Sequence, residues 1–230
     1  MLEPRLAALF THDAAGRIVT ANELEPDPSP APRLFLARTA GGNAWRFRHD
    51  VPPPLVREIE RLLVAEPPLS ATDPRQPPRA LAALRALLAT PGGTGEIEQG
   101  PAWRFPELLP VMEDATFIAA GNRGLLAEHF PYTAAHLAVR QPCAAIVVDG
   151  AAVSICYCAR RTAGAAEAGV DTAEGWRGRG YAGRVTAAWA AAVRRSGRIP
   201  LYSTSWQNLA SQAVARKLGL TLCGVDLAIT

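Results

Sequence analysis

Apolar residues in the second half of the chain form short strand-like runs that alternate with segments of helical spacing. The runs predict strands at Cys143–Val148, Ala152–Ala159, Ala165–Thr172, Ile199–Thr204 and Leu222–Ile229. A four-residue repeat of apolar positions predicts a helix over Arg179–Arg195, and Leu209–Leu218 predicts a second helix that ends at Gly219. Asp149-Gly150 is typical of a hairpin turn. This order predicts an α/β fold with a mixed central sheet flanked by helices.

Proline clusters interrupt the pattern in the first hundred residues. Between them lie strand-like runs and two segments of helical spacing, namely Arg17–Ala21, Arg33–Arg38, Ala44–Arg48, Leu55–Ala65 and Arg79–Ala89. Pro91–Gly95 is typical of a linker. We therefore expect a small α+β domain over residues 1–95, of unknown role, and the larger domain over residues 101–230. A strand at Ala115–Ala119 and a short helix at Asn122–His129 would open the second domain.

Composition places the chain among globular proteins. Hydrophobic residues make up 49% of its 230 residues, and no apolar run approaches the length that spans a bilayer. Met1–Asp13 has a short apolar patch but no pattern of a secretory signal. The 4 cysteines show neither a C-x-x-C pair nor zinc-site spacing. We expect a cytoplasmic protein with free thiols and no membrane partner.

The net charge of +3 raises the question of nucleic-acid binding. Lys217 is the single lysine, so arginine carries nearly all of the positive charge. The arginines are dispersed along the chain, with no basic block and little aromatic interleaving. The sequence therefore argues against a nucleic-acid partner.

The richest chemical signal is the glycine-rich segment Gly175–Gly183, between a predicted strand and a predicted helix. Glycines allow the backbone to approach a ligand closely, and a helix N-terminus offers unpaired N–H groups and the positive end of its dipole. Arg177 and Arg179 add positive charge. The segment thus suits an anion such as a pyrophosphate.

Two other interpretations compete for this segment. Gly178-x-Gly180-x-x-Gly183 satisfies the dinucleotide fingerprint, which needs an acidic residue at the end of the next strand. The next strand, Leu201–Ser205, contains no Asp or Glu, which argues against a nicotinamide or flavin enzyme. A loop that merely caps a helix stays open as an alternative.

The wider context resembles one superfamily. Arg177-x-x-Gly180-x-Ala182 resembles the acyl-CoA pyrophosphate loop of the GNAT superfamily of acetyl-CoA-dependent N-acetyltransferases. Asn208 at the start of a helix and Lys217-Leu218-Gly219-Leu220 at its close resemble the superfamily's second CoA-binding element. The resemblance covers roughly Phe117–Thr230 and implies a GNAT-like fold, with acetyl-CoA as co-substrate.

The resemblance also implies roles for individual residues. Backbone and side-chain groups would hold the cofactor at ten positions: Val170, Thr172, Arg177, Gly178, Arg179, Gly180, Tyr181, Ala182, Asn208 and Ser211. The pantetheine arm would pair with the strand that ends at Thr172 as if it were an added strand. The next strand would then have to diverge, with Gly169 as a site for a bulge. For Asn208, an ordinary helix N-cap is an equally good explanation.

The implied reaction is direct attack of an amine on the thioester carbonyl. Glu167 interrupts a small, apolar strand and is the candidate general base, although a solvent-facing strand edge would also explain it. Many members carry a tyrosine as general acid where this chain has Ala215, so Tyr202, Ser205, Ser211 or water could substitute, with a weak preference for Tyr202.

The acceptor itself is not encoded in a motif. A small-molecule amine is favoured over a protein, because no acidic run is present to receive a basic peptide. The N-terminal part would cover the acceptor cleft or form a homodimer. A sensor that binds acyl-CoA without catalysis is the alternative, since the position of the general acid is empty.

Overall fold

The computed structural model describes residues 2–23, 28–89 and 95–230. Its N-terminal elements are α1 (Leu2–Leu9), β1 (Phe10–His12), β2 (Ile18–Ala21), β3 (Leu34–Thr39), β4 (Gly42–Phe47), α2 (Pro53–Val64) and α3 (Leu81–Leu88). The next elements are β5 (Ile97–Arg104), β6 (Thr116–Ile118), a 3₁₀ helix (Ala120–Leu126) and α4 (Pro131–Ala135). The last are β7 (Cys143–Val148), β8 (Ala151–Arg161), β9 (Ala165–Thr172), a 3₁₀ turn (Glu174–Trp176), α5 (Tyr181–Arg195), β10 (Ile199–Ser203), α6 (Leu209–Lys217) and β11 (Thr221–Ile229). The predicted linker lies outside the described residues, except for Gly95.

A nine-stranded mixed sheet organises the molecule, in the order β4-β3-β11-β5-β10-β9-β8-β7-β6. β9 and β10 pair in parallel, and every other pairing in this sheet is antiparallel. β1 and β2 form a separate two-stranded sheet near the N-terminus. The predicted fold class, a mixed α/β sheet flanked by helices, is confirmed.

The large sheet runs across the expected domain boundary. β3 and β4 come from the first hundred residues, yet β3 pairs with β11 from the C-terminus. β5, whose start lies inside the gap between the two expected domains, is inserted between β10 and β11. Whether each part can fold by itself stays a prediction, but the described residues share one sheet.

Helices cover both faces of the sheet. α5 and α6 bury Val185, Trp189 and Ala215 against its centre. α2 and α3 bury Ile59 and Leu84 against the end formed by β3 and β11. α1 packs on the opposite face of β3, because Leu34 and Leu36 join the α2–α3 core while Phe35 and Ala37 join α1. This alternation is the period of two that a strand imposes.

The predicted elements of the second half match the structure closely, and the differences have local causes. α5 begins at Tyr181 rather than Arg179, because Gly180 has a left-handed conformation with φ of 83° and ends the loop. The segment predicted as a helix at Asn122–His129 is a 3₁₀ helix that starts two residues earlier. Among the described helices, none is both long and apolar enough to cross a bilayer.

Candidate functional site

The centre of the sheet opens where β9 and β10 stop pairing. Their parallel ladder joins Ile199 to Ala165 and ends at the pair Leu201–Glu167. β10 ends two residues later, whereas β9 continues to Thr172 with only β8 beside it. The free edge of β9 beyond Glu167 is therefore available to a ligand that pairs with backbone groups.

A crossing of two backbones fixes this divergence. A Cβ on Gly100 of β5 would lie 1.8 Å from the carbonyl oxygen of Thr204 and 2.7 Å from Cα of Ser205. The chain leaving β10 thus passes directly over Gly100, where no side chain fits. Since Thr204 also donates its N–H to Pro101 at 3.2 Å, the chain follows β5 at the point where it leaves β9.

The glycine-rich segment forms a loop that leads into α5. Gly178 and Gly180 have φ of 78° and 83°, a backbone conformation that residues with a Cβ rarely adopt. A Cβ added to either glycine would meet no atom within 4 Å. These glycines are therefore required by the left-handed backbone conformation of the loop and not by close contact with a neighbouring residue. No side chain caps the N-terminus of α5. Its first N–H groups consequently point out of the helix without an intrahelical acceptor.

A cleft of about 520 Å³ joins the free edge of β9, the loop and the N-terminus of α6. Nine of the ten residues predicted to hold a cofactor line it: Val170, Thr172, Arg177, Gly178, Gly180, Tyr181, Ala182, Asn208 and Ser211. Their assembly in one cleft is a property of the tertiary structure, and their binding role stays a prediction. The cleft has the size and the positive helix end that an extended anionic ligand requires.

The basic side chains near the cleft differ in their placement. Arg177 lines it and donates to the carbonyl of Thr172 at 3.3 Å. Arg179 does not line it, because its guanidinium stacks on Trp176 at 4.6 Å and donates to Gly175. Lys217, at the end of α6, also lines the cleft; it belongs to the motif that resembles the second CoA-binding element, but no separate cofactor role was predicted for it. The positive charge of the cleft thus comes from Arg177 and Lys217.

The loop that carries Asn208 is held by a residue that sequence reasoning missed. Asn208 caps α6, since its Oδ1 accepts from the N–H of Ser211 at 3.0 Å. Gln212 is buried, and its Nε2 lies within 3.2 Å of the carbonyl oxygens of Ser205 and Trp206. Gln212 therefore fixes the turn between β10 and α6. A polar residue on the inner face of a predicted helix was the available signal.

Glu167 is buried at the point where the two strands separate. Its side chain is 4% exposed and accepts from Arg160 at 2.5 Å and from the hydroxyl of Ser203. Arg160 also pairs with Glu23 at 3.1 Å. Although burial opposes the charged form of Arg160, the two carboxylates raise its pKa above the ordinary value. Glu167 is thus not a solvent-facing strand residue. Its hydrogen-bond partner Ser203 lies nearer to the opening between the strands.

Tyr202 lies on the other face of the sheet from Glu167. It is buried in the core beside Phe105, and its hydroxyl donates to the carbonyl of Ser211 at 3.2 Å. Burial raises the pKa of Tyr202 to about 12. Tyr202 does not line the cleft. The expectation that it supplies a proton stays a prediction, which this placement disfavours because strand alternation turns its side chain into the core.

Gly169 has a different role from the predicted bulge. A Cβ there would lie 2.6 Å from the ring of Tyr157, so Gly169 makes room for that ring. The irregularity in the β8–β9 ladder lies between Cys158 and Arg160, on the neighbouring strand. Tyr157 in turn donates to Asp171 at 3.1 Å. The divergence of β9 from β10 is thus produced without a bulge at Gly169.

Comparison with known proteins agrees with this geometry. A family model described as GNAT acetyltransferase matches residues 142–224. A GCN5-related N-acetyltransferase-like protein from Streptococcus suis has a similar fold, with a TM-score of 0.50 and 17% identity over 88% of this chain and 85% of that one. A putative GNAT-family acetyltransferase from Novosphingobium aromaticivorans gives a TM-score of 0.50 and 17% identity over 62% and 68%. No curated protein matches the sequence.

Proposed function

Because a model of the GNAT acetyltransferase family matches residues 142–224, we propose that this protein is an acetyl-CoA-dependent N-acetyltransferase for a small-molecule amine. One observation carries the proposal: the cleft between β9 and α6 combines a free strand edge with an uncapped helix N-terminus and a glycine loop. A free strand edge can pair with the amides of a pantetheine arm, and the N–H groups of a glycine loop and a helix N-terminus can bind a pyrophosphate.

The cleft fits the cofactor. N–H groups at the start of α5 would hold the pyrophosphate, with Arg177 and Lys217 adding charge at the mouth. The edge of β9 from Ala168 to Thr172 would pair with the amides of the pantetheine arm. Arg179 would act at most by stacking on Trp176 and so stiffening the loop. Acetyl-CoA, when bound, supplies an activated acyl group.

The proton of the attacking amine would leave through Ser203. The hydroxyl of Ser203 is bonded to Glu167 and lies at the open end of β10. It would accept the proton of the ammonium while its own proton passes to Glu167, which keeps the charge in balance. Arg160 would hold the carboxylate in place. A backbone N–H on the free part of β9 would stabilise the negative charge that develops on the carbonyl oxygen.

The alternative is a sensor that binds acyl-CoA without catalysis. It is favoured by one observation: Tyr202 is buried with its hydroxyl bonded to the Ser211 carbonyl, and Ala215 has no hydroxyl, so neither position presents a tyrosine hydroxyl to the cleft. Coenzyme A is a good leaving group, and water can supply that proton. The ion-paired Glu167 beside the split of the sheet favours the enzyme.

The first test is thermal unfolding with acetyl-CoA, with NADPH as the control ligand. A ligand at about a hundred times its dissociation constant adds about 2.7 kcal/mol of stability, which raises the Tm of a chain of this size by roughly 5–11 °C. We expect a shift with acetyl-CoA and none with NADPH. A shift with NADPH alone would contradict the proposal and indicate that the glycine loop binds a dinucleotide.

The second test separates the enzyme from the sensor. Glu167→Gln and Ser203→Ala should each lower turnover by about 10²-fold or more, while the affinity for acetyl-CoA stays unchanged. Ser203→Ala leaves the Glu167–Arg160 ion pair intact, so a loss of turnover in this variant is not explained by misfolding after loss of that pair. Full turnover in both variants would remove this pair from the mechanism. No turnover of any amine by the wild-type protein, with acetyl-CoA bound, would favour the sensor.

A further inference from the structure

A second cavity, of about 530 Å³, lies between the N-terminal segment and the ends of β5, β10 and β11. Part of its lining is apolar and partly aromatic, formed by Leu9, Phe10, Pro30, Pro32, Phe35 and Ala228. Phe10 and Phe35 meet edge to face, with ring centroids 5.0 Å apart. The size and the rigid apolar wall are typical of a site for a small organic molecule.

Another part of the lining is acidic. Glu23, Glu98 and Asp226 line it, against a single lining guanidinium from Arg160. This excess of carboxylates stands in a chain whose net charge is +3. Glu23 and Asp226 are already paired, with Arg160 and Arg5 respectively. Glu98 has no cationic partner among residues 2–23, 28–89 and 95–230, and is exposed.

One buried acceptor atom in this acidic wall also lacks a donor. Oδ1 of Asp226 is buried and has no hydrogen-bond partner within the described part of the chain, although Oδ2 contacts Arg5. Because this atom is enclosed by protein, a ligand in the cavity does not reach it; the accessible part of the Asp226 side chain contributes negative charge to the cavity, which Arg5 partly offsets. An ammonium group supplies the complementary positive charge.

The cavity also reaches the reacting end of the site. Ser203, Thr204 and Ser205 line it, and Ser203 carries the hydroxyl bonded to Glu167. The same segment continues to Asn208 and Ser211, which line the cofactor cleft. The two spaces therefore lie on either side of the segment that leaves β10, where the sheet divides.

We propose that this cavity binds the acceptor, and that the acceptor is a primary amine with an apolar or aromatic body and no carboxylate. The proposal rests on the proposed function and adds the substrate class to it. The ammonium faces Asp226 and Ser203, the body packs on Phe10 and Phe35, and Glu98 adds negative charge at the rim of the cavity. A carboxylate on the acceptor would face Glu23 and Glu98, and like charges in such a site weaken binding.

Phenethylamine and phenylalanine test this assignment, because they differ only by the carboxylate. Both are titrated calorimetrically into the full chain after it has been saturated with CoA. We expect phenethylamine to bind at least about tenfold more tightly than phenylalanine. Glu98→Gln should weaken the binding of phenethylamine about two- to fivefold, as loss of one exposed charge contact does. Glu58→Gln makes the same charge change on the exposed face of α2 and should leave the affinity unchanged.

The outcomes separate the two proposals. The initial titration with CoA reports on the cofactor cleft alone. Absence of CoA binding would contradict the proposed function, and the amines are then titrated into the free chain, where the cavity is already formed. Equal affinity for the two amines, no binding of phenethylamine, or equal effects of Glu98→Gln and Glu58→Gln would overturn the assignment of the cavity, whatever CoA does.

Discussion

Glu66 links three elements of the N-terminal part, and its removal should destabilise the whole sheet. Its side chain is 1% exposed and lies 3.5 Å from the guanidinium of Arg38 on β3, which is 3% exposed. Its carboxylate also accepts from the N–H groups of Arg79 and Ala80, at 2.9 and 3.0 Å, at the start of α3. Glu66 thus neutralises a buried cation and caps a helix that has no other capping side chain.

The expected cost of Glu66→Ala follows from these contacts. Removing one partner of a buried ion pair costs about 3–5 kcal/mol, since the other charge stays buried. Two N–H groups would lose their acceptor as well, at about 1–3 kcal/mol each if they remain dry. The contributions overlap, and Arg38 keeps a bond to the carbonyl of Gln76 at 2.8 Å. We therefore expect a loss of roughly 4 kcal/mol, or about 8–16 °C in Tm.

Urea unfolding followed by tryptophan fluorescence and by far-ultraviolet circular dichroism measures this loss. Because β3 pairs with β11, both probes should report one transition that moves to lower urea in Glu66→Ala. Glu58→Gln, on the exposed side of α2, is the control and should change stability by less than about 0.5 kcal/mol. A loss in Glu66→Ala as small as in the control would refute the reasoning. Two separate transitions would support the division into two domains.

Three further predictions concern the cleft and the core. Gly180→Ala should weaken acetyl-CoA binding, since a left-handed conformation costs about 1–2 kcal/mol in a residue with a Cβ; Gly175→Ala, in the same loop without positive φ, should leave the affinity unchanged. Tyr202→Phe should lower stability by about 1 kcal/mol through loss of its bond to the Ser211 carbonyl, and should leave turnover intact; a large fall in turnover would support its role as an acid. Burial raises the pKa of Cys143 to about 12 and that of Cys156 well above its usual value, so both stay protonated at pH 8 and should resist Ellman's reagent until the protein unfolds.

Elements with strong local signals could be predicted from the sequence. Cys143–Val148 and Ala165–Thr172 have the predicted bounds, because mostly apolar runs of strand length beside turn residues leave few alternatives. Asp149 and Gly150 both have positive φ, as their hairpin turn requires. The glycine loop was recognisable because Gly178 and Gly180 stand where the backbone conformation excludes other residues.

β5 could not be found in the same way. Gly100 and Pro101 stand at its centre and weaken any strand signal. Its place between β10 and β11 depends on partners more than 95 residues away in sequence. Gly100 is present because the chain after Ser203 crosses it, a contact that no local pattern records. The opening of the cofactor cleft therefore depends on an element that the sequence pattern concealed.

The sequence by itself determined the order of the C-terminal elements, and it identified the glycine loop as a candidate anion site and Glu167 as a candidate base. Only the tertiary structure decided which groups meet. It paired Glu167 with Arg160 and Ser203, turned Tyr202 into the core, and brought the N-terminal Phe10 and Phe35 to the acidic end of β5. Local patterns reflect the backbone conformation and burial of single segments, whereas a site depends on which distant segments the sheet places side by side.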